Sequence, residues 1–459
     1  MTYRFEGGFP DDETIRAAYD AADMARAVVC YKHFFPVVSG LSILSGQLET
    51  GARFNRVFSL QETAPRHRGL TLNSDTPYAG AMLDLHGGAL ALDIPAGPIT
   101  GSILDADQGW VADVGVPGPD GGHGGHYTLL PPGTGEDDPA DPFTLHASTF
   151  RLIAGLRAVP LGGDLEGAVD LLRSVRVSPV GNDPDWVEPQ WSDVTARPQD
   201  GTPNAFQGTL AFWSALHGYL SDEPLREGDR AYVGELSALG IRPGEPFVPD
   251  ERMRALLTAA AEEADAQMRV QSLADRRPDR VVWPDRRWEW VSLRPEGASF
   301  TVDDVLDVDA RDTWFYQAIA TSPAMFHREA GAGSVYWFGA HDSSGAYLDG
   351  GRTYRLTVPL PVPAGQFWSV TAYDAQTRSQ VSTDQGSASL RSLFELRDRL
   401  GGDSVTLWFG PEPPADATAA WVRTVPGRGW FSHLRVYGPG EAVFDGSWRP
   451  GDFEAMRRP

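Results

Sequence analysis

The first strong pattern along the chain is an amphipathic helix near the amino terminus. Asp11 or Asp12 can cap it, because an acidic side chain at a helix start accepts hydrogen bonds from free backbone N–H groups. We expect the helix to end near His33, before Pro36, because proline lacks the N–H that a helix interior needs. The apolar residues that recur at roughly helical spacing are Ile15, Ala18, Tyr19, Ala22, Met24, Ala27 and Val28.

From about residue 54 to 132 the pattern changes to short alternating runs, separated by glycine and proline. Residues 89–94 and 102–105 are examples, and such runs are typical of strands. Residues 116–125 are mostly glycine and proline, which disfavour both α-helices and hydrogen-bonded β-strands. They therefore predict a surface loop. A helical layer is then expected to follow the first sheet, because helical patterns occur over 149–157, 164–175, 204–220 and 252–269.

A polar, arginine-rich segment from Arg276 to Arg287 marks a change in composition that we take as a domain boundary. Beyond it, alternating runs predict four strands, at 354–358, 367–373, 405–409 and 431–437. The predicted domains are 1–275, a linking segment 276–330, and 331–459. The predicted fold class is mainly β with added helices (α+β). It comprises an N-terminal β-sandwich or barrel-like domain with a helical layer and a C-terminal jelly-roll-like β-sandwich.

Composition and charge narrow the classes of function. A formal charge of −23 repels phosphate backbones and anionic lipid, so we expect neither nucleic acid nor membrane as a partner. Lys32 is the only lysine, which excludes P-loop NTPases, kinases and lysine Schiff-base enzymes. Cys30 cannot form an internal disulfide and is predicted to be a buried small hydrophobe.

The amino terminus lacks the basic start and apolar run of a secretory signal. No run approaches the ~18 consecutive apolar residues that a membrane helix needs. We therefore expect a cytoplasmic protein that acts on a small molecule. A homodimer is the candidate assembly.

Two ordered sets of motifs resemble a known bacterial family. Residues 72–78, Leu-Asn-Ser-Asp-Thr-Pro-Tyr, followed by residues 82–85, resemble the signature of the domain of unknown function numbered 1254, and residues 240–247 are similar to its closing motif. The C-terminal half resembles the partner domain numbered 1214, through residues 367–374, residues 434–439, and Tyr336, Asp342, Gly345, Leu348, Gly350 and Tyr354. The resemblance covers about residues 20 to 450. It implies a β-sandwich or jelly roll with added helices, and it implies no established reaction.

The dense polar group in the first of these motifs is the main candidate site. Asp75 and Tyr78 are candidate catalytic residues, and Asn73 and Thr76 are candidate substrate-binding residues. Asp75 is the best single candidate for an acid, a base or a ligand. The alternative is structural, because Asn, Asp and Thr side chains readily close turns by bonding nearby backbone amides.

Further acidic and imidazole groups are candidates. Asp105 lies two residues from Asp107, and paired carboxylates can share a proton or hold a hard cation, although both could simply begin a turn. His341 is a candidate general acid or base, because the pKa of histidine is near neutrality. His123 and His126, together with Asp107, form a weakly specified candidate metal site for a divalent cation. No other cofactor is predicted.

The C-terminal half supplies candidate substrate-binding residues. Arg435 alternates with Leu434 and Val436, so on a strand it shares a face with Tyr437, where it meets either a structural carboxylate or an anionic ligand. Trp368 and Tyr373 could wall a pocket, although aromatic residues on strands are usually core.

Three functions remain open. The first is a cofactor-independent small-molecule enzyme that uses acid/base chemistry as a lyase, an isomerase or cyclase, or a hydrolase. It would have its pocket at the domain junction and would suit tailoring in bacterial specialised metabolism. The second is a carbohydrate-active lyase or sugar-binding protein, which rests on fold analogy. The third is a non-catalytic structural or assembly protein in which the polar motifs only close turns.

Overall fold

The amino-terminal helix is much longer than the sequence predicts. The computed structural model describes residues 3–135, 140–206, 208–416 and 418–456. A short hairpin, β1 (Phe5–Glu6) and β2 (Phe9–Pro10), precedes helix α1 (Asp12–Glu49). Asp11 caps α1 by accepting a hydrogen bond from the backbone N–H of Thr14 at 2.7 Å.

The predicted end of this helix near His33 is wrong, because α1 continues through Pro36. A proline at this position leaves the carbonyl of Lys32 without its usual helical donor. The guanidinium of Arg311 donates to that carbonyl at 3.4 Å, and the side-chain amide of Gln108 donates to the Pro36 carbonyl at 2.9 Å. Contacts from distant parts of the chain thus stabilise a helix that local sequence would end.

By length and composition, α1 could cross a membrane, which the apolar runs alone did not suggest. Of its most apolar 18-residue window, 67% is buried inside the protein. A core helix and an N-terminal signal sequence share this composition. The absence of a membrane partner and the cytoplasmic location therefore stay predictions.

The next part of the chain forms strands, with one helix among them. In chain order the elements are β3 (Val57–Glu62), β4 (His67–Arg68), β5 (Pro77–Asp84), β6 (Leu90–Ile94), β7 (Ile99–Asp105), β8 (Trp110–Gly115), β9 (Gly125–Leu130), β10 (Thr144–His146), β11 (Arg151–Ala158), α2 (Leu165–Arg173), β12 (Arg176–Pro179), β13 (Gln190–Asp193) and β14 (Gln199–Asp200). A six-stranded sheet has the order β13-β3-β5-β11-β7-β8, a four-stranded sheet has the order β10-β9-β6-β12, and β4 pairs with β14.

The predicted helix over residues 149–157 is wrong, because this segment forms strand β11. β11 pairs antiparallel with β5 on one side and with β7 on the other. Leu152, Ala154 and Leu156 are buried in the core that the six- and four-stranded sheets share. Short apolar runs fit the periodicity of a helix and that of a strand equally well, and here pairing with two neighbouring strands makes the segment a strand.

A helical layer follows the first sheets, as predicted. It consists of α3 (Ala211–Asp222), α4 (Arg230–Ala238) and α5 (Glu251–Leu273), which pack with α1 around one core. Cys30 is buried in this core, and burial raises the pKa of its thiol to about 12. The same core also contains Trp314 and Phe338 from beyond the predicted boundary at residue 276. The division into domains stays a prediction.

The rest of the chain forms a second group of strands. The elements are β15 (Glu289–Trp290), β16 (Thr301–Val302), β17 (Val305–Leu306), α6 (Val308–Gln317), α7 (Pro323–Phe326), β18 (Ser334–Gly339), β19 (Tyr354–Pro359), β20 (Ala364–Asp374), β21 (Ser389–Arg391), β22 (Ser404–Gly410), β23 (Ala420–Arg423), β24 (Trp430–Pro439) and β25 (Glu454–Ala455). They form a five-stranded sheet, β15-β18-β24-β20-β21, a four-stranded sheet, β23-β22-β19-β25, and the small β16–β17 pair.

Both strands and helices are thus major components of the fold. The structure is 27% helix and 29% strand, so the mixed α+β class is confirmed. All four strands predicted in the C-terminal half are present, within β19, β20, β22 and β24. The finer assignment to sandwich, barrel or jelly roll stays a prediction.

Candidate functional site

A cavity of about 860 Å³ lies between the two strand-rich parts of the chain. Its floor is the outer face of the six-stranded sheet, the face that points away from the shared core of the two N-terminal sheets. Its opposite wall is the face of the five-stranded sheet that carries Arg435 and Tyr437. The segment that links α6, α7 and β18 closes one side, through Ala320, Met325 and Gly333.

The strand register fixes which side chains form the floor. Directly opposite positions on neighbouring strands lie on one face of a sheet. Two rows of such positions face the cavity: Gln61, Tyr78, Arg157 and Thr100 form the first, and Ser59, Gly80, Gly155, Ser102 and Asp113 form the second.

The centre of the second row is bare backbone. A Cβ atom built on Gly155 would meet no atom within 4 Å, so there is open space above this strand residue. A Cβ on Gly80 would lie 2.7 Å from the side-chain nitrogen of Gln47, which covers the neighbouring strand from α1. The cavity floor is therefore open above Gly155 and covered above Gly80.

The opposite wall is a polar stripe on an otherwise apolar sheet. Along β24, Leu434 and Val436 point into the core between the two C-terminal sheets, and the alternate residues point towards the cavity. Arg435 lies opposite Tyr336 on β18 and opposite Ser369 on β20. This is the orientation that the alternation of β24 predicts for Arg435.

The loop that carries the first family motif binds directly to this polar stripe. Tyr373 donates its hydroxyl to the Leu72 carbonyl at 2.8 Å, and Arg435 donates to the Thr71 carbonyl at 2.8 Å. Asn73 donates its side-chain amide to the Tyr437 hydroxyl at 3.2 Å. The two halves of the chain thus meet through residues of both family motifs.

Asp75 is almost fully enclosed in this contact, with 1% of its surface exposed. One carboxylate oxygen accepts hydrogen bonds from Ser369 at 2.9 Å and from Tyr437 at 3.2 Å. The other oxygen has no hydrogen-bond partner among the residues that the structure describes. Burial raises the pKa of Asp75 above its usual range, and the nearby Arg435 opposes this effect.

Arg435 is buried and forms no ion pair with any residue that the structure describes. Its guanidinium lies 5.3 Å from the ring centre of Tyr336 and 5.4 Å from that of Tyr373, and within the described ranges its Nη1 atom has no partner. His433 lies beside it, with Nδ1 3.2 Å from Nη2 of Arg435. Burial and the charge of Arg435 hold the pKa of His433 well below its ordinary value, so this histidine is neutral.

A second arginine faces the same space from the floor. The guanidinium carbon of Arg157 lies 5.7 Å from the ring centre of Tyr78 and 5.9 Å from that of Tyr437. No carboxylate of the described residues lies within 4 Å of either Arg157 or Arg435. Two cations without ion-pair partners therefore converge on a cavity that three tyrosines also line, Tyr78, Tyr336 and Tyr437.

This arrangement can transfer a proton. The hydroxyl of Tyr437 lines the cavity, donates to Asp75 and accepts from Asn73. Burial, together with Asp75, raises the pKa of Tyr437 well above its usual value, so the phenol stays protonated. Such a phenol can take a proton from a bound molecule while it passes its own proton to the carboxylate behind it.

The structure brings together one part of the sequence-predicted site. Asn73, Thr76, Tyr78, Arg435 and Tyr437 line the cavity, and Asp75 and Tyr373 lie directly behind its wall. Tyr373 acts there through hydrogen bonds to the loop rather than as an exposed ring.

The other catalytic and binding candidates lie elsewhere. Asp105 is buried and accepts hydrogen bonds from Ser148 and Thr149 at the end of β7. His341 lies beside Tyr347, and Asp342 closes the following turn. Trp368, on β20, points into the core between the two C-terminal sheets. Alternation along β20 puts Trp368 on the face away from the cavity, and His341 lies beyond the end of β18.

The candidate metal residues also lie apart. His126 contacts Asp93 at 2.6 Å on the exposed face of the four-stranded sheet, whereas Asp107 forms an ion pair with Arg226. His123 is exposed in the predicted loop. No group of three or more metal-binding side chains occurs within residues 3–135, 140–206, 208–416 and 418–456. A divalent cation stays a prediction.

Arg157 is the main candidate site residue that the sequence did not reveal. Because the pattern over residues 149–157 predicts a helix, the alternation of a strand is not expected for Arg157. On β11, Leu156 and Ala158 point into the core, and Arg157 therefore lies on the opposite face. An arginine at the end of an alternating apolar run was the available signal, and it matches the pattern that identified Arg435.

Comparison with solved structures shows similarity over almost the whole chain. The crystal structure of the VPA0106 protein from Vibrio parahaemolyticus has a TM-score of 0.56 at 14% identity, and the match covers 95% of this chain and 100% of that one. A putative uncharacterized protein from Burkholderia cenocepacia gives a TM-score of 0.42 at 12% identity, covering 96% of each chain. The first likeness supports the fold alone. No curated protein matches.

Two family models match the chain, in the order that the motifs predicted. The model described as "Protein of unknown function (DUF1254)" matches residues 54–179, and that described as "Protein of unknown function (DUF1214)" matches residues 333–441. The first contains the loop with Asp75 and the floor strand with Arg157, and the second contains the wall with Arg435 and Tyr437. The chain therefore belongs to the bacterial proteins that pair an N-terminal domain of unknown function 1254 with a C-terminal domain of unknown function 1214.

Proposed function

We propose that this protein is a small-molecule enzyme that binds an organic anion between its two strand-rich parts and acts on it by acid/base chemistry. The observation that carries the proposal is the convergence of Arg157 and Arg435 on one cavity, with no carboxylate of the described residues within 4 Å of either. The reaction class remains that of a lyase, an isomerase or cyclase, or a hydrolase, and tailoring in bacterial specialised metabolism is a suitable setting.

Electrostatics support an anionic ligand. Burying a guanidinium is unfavourable unless it is paired, and the carboxylate with the largest electrostatic effect on Arg435, that of Asp75, lies beyond ion-pair distance. A bound anion would therefore stabilise both arginines. The chain as a whole carries a formal charge of −23, which makes a locally cationic cavity a specific feature rather than a consequence of composition. A planar carboxylate can also accept two parallel hydrogen bonds from a guanidinium.

The chemical step would use the phenol of Tyr437 and the carboxylate of Asp75. Tyr437 would accept a proton from the bound molecule as its own proton moves to Asp75, 3.2 Å away. The raised pKa of Asp75 makes its carboxylate a stronger base than an exposed one, which suits a general base. Asn73 would hold the phenol in place through its own hydrogen bond.

The two alternative functions differ in how well the geometry supports them. Trp368 and Tyr373 are both buried, so neither offers a ring face on which a sugar could stack. The structural alternative has firmer support, because the bonds of Asp75 also join the motif loop to the opposite sheet. A ligand-binding experiment separates a site from a purely structural contact.

Calorimetric titration of cinnamate, with neutral cinnamamide as the comparison, tests the proposal. We expect saturable binding of cinnamate, and we expect Arg157→Met to weaken it at least about tenfold, because a hydrogen bond to a charged group contributes about 1.5–3 kcal/mol. Arg276→Met, at an exposed arginine far from the cavity, is the matched control and should leave binding unchanged. Equal binding of acid and amide, or no binding of cinnamate at millimolar concentration, would count against the proposal.

A further inference from the structure

A second polar region lines the same cavity, across the floor from Arg157. It consists of three side-chain amides: Gln47 from α1, Gln61 from β3 and Gln199 from β14. Gln47 and Gln199 are only 7% and 9% exposed. The amide oxygen of each of the three has no hydrogen-bond partner within the part of the chain that the structure describes.

Three unpartnered amides in one place need a physical reason. A buried polar group without a hydrogen bond destabilises a fold, and such groups in native proteins almost always bond protein, water or ligand. A carbonyl oxygen accepts hydrogen bonds, so the missing partners are donors. All three side chains line the cavity, although each amide oxygen is itself covered, so rotation of a side chain would let a bound molecule supply the donor.

The strand register gives the distance between the two polar regions. Gln61 and Arg157 flank Tyr78 in one row of the floor, so two strand spacings separate them. Neighbouring strands lie about 4.8 Å apart, which places the two residues about 10 Å from each other. Gly155 lies in the neighbouring row, two residues from Arg157 along β11 and directly opposite Gly80, which Gln47 covers. The open space above Gly155 therefore adjoins both Arg157 and Gln47, and it leaves room for a flat group lying on the backbone.

We propose that the ligand is an elongated organic acid with a flat apolar middle and a neutral hydrogen-bond donor, such as a hydroxyl group, at its far end. This inference rests on the proposed function, because it takes the carboxylate to lie between Arg157 and Arg435. The flat middle lies above Gly155. The donor lies at the amides of Gln47, Gln61 and Gln199.

The test compares two acids that differ only in the far-end hydroxyl, 4-hydroxycinnamate and cinnamate, by calorimetric titration of the whole protein. In the unmodified protein we expect the hydroxyl to tighten binding about five- to tenfold, the range for a single hydrogen bond. Because a hydroxyl donates a single hydrogen bond, at least one of Gln61→Met and Gln47→Met should reduce this preference to about onefold. Gln376→Met, at an exposed glutamine in the turn after β20, is the matched control and should keep the full preference.

The possible outcomes separate the two proposals. If cinnamate binds and Arg157→Met weakens it, but the hydroxyl gives no preference, the inference about the far end is overturned and the proposed function stands. The same holds if the preference survives in both glutamine variants. If neither acid binds, or if binding does not depend on the carboxylate, the proposed function is overturned together with the inference. The first comparison uses the unmodified protein, so it does not depend on whether a variant folds.

Discussion

Adding a side chain at Gly155 should block the cavity without harming the fold. This glycine lies in the middle of β11, its backbone is that of an ordinary strand, and a Cβ atom there would meet nothing within 4 Å. Leucine at this position would project into the space above the floor. We therefore expect Gly155→Leu to change ligand binding and stability in opposite directions.

The magnitude follows from what surrounds each glycine. Replacing glycine where the backbone conformation is one that any residue can adopt stabilises the folded state by about 0.4–1 kcal/mol, because the unfolded chain then has fewer conformations. We expect Gly155→Leu to raise the free energy of unfolding by about this amount. Gly101 on the neighbouring strand is the contrast, because its Cβ would lie 2.6 Å from a Leu156 side-chain carbon and 2.7 Å from the Gly155 carbonyl oxygen. Gly101→Ala should cost about 1–3 kcal/mol through overpacking.

Urea denaturation gives the free energies of unfolding, and titration with cinnamate gives the binding. We expect Gly155→Leu to lower the affinity for cinnamate more than about tenfold, because the side chain occupies the floor of the cavity. Gly234→Leu, at an exposed glycine of α4 with no atom within 4 Å of its Cβ, is the control for added volume and should leave binding unchanged. If Gly155→Leu destabilises the protein as strongly as Gly101→Ala, the conclusion that open space lies above Gly155 is wrong. A stable variant with unchanged affinity would refute its use by the ligand.

Two further predictions concern buried carboxylates. Burial, followed by the charge of Asp107, raises the pKa of Asp105 from 3.8 to about 6. The folded state therefore binds the extra proton between these values, and the contribution of Asp105 to stability falls as pH rises through them. Asparagine does not titrate, so Asp105→Asn should remove this decrease in the free energy of unfolding, which amounts to at most about 3 kcal/mol between pH 4 and pH 7.5. Urea denaturation at both pH values measures it, and an unchanged pH dependence in the variant would contradict the prediction. Asp75→Ala leaves the hydroxyls of Ser369 and Tyr437 without an acceptor and should cost about 2–4 kcal/mol, whereas Asp75→Asn keeps an acceptor and should stay within about 1 kcal/mol of the unmodified protein. Equal losses in the two variants would show that the charge of Asp75 itself holds the loop.

Local sequence determined the elements whose pattern is long or strictly alternating. The alternation around Arg435 places it, with Tyr437, on the face of β24 opposite Leu434, and the structure has them there. The polar motif at Asn73 and Asp75 was recognisable because several hydrogen-bonding side chains follow one another in a short segment. Such signals depend only on neighbours in the chain, so they can be read without the fold.

Tertiary structure decided what depends on distant partners. Helix α1 passes Pro36, and Arg311, far away in the chain, donates to the carbonyl that the proline leaves free. Residues 151–158 form a strand because β5 and β7 lie on either side, and only that outcome turns Arg157 towards the cavity. The site itself is a meeting of two sheets, and no spacing along the chain shows that Gln61 and Arg157 share one floor with Arg435 on the wall above it. Sequence identified the polar motif around Asp75 and the arginine of β24 as candidates in each half, and packing of the halves against each other decided which candidates meet and added Arg157.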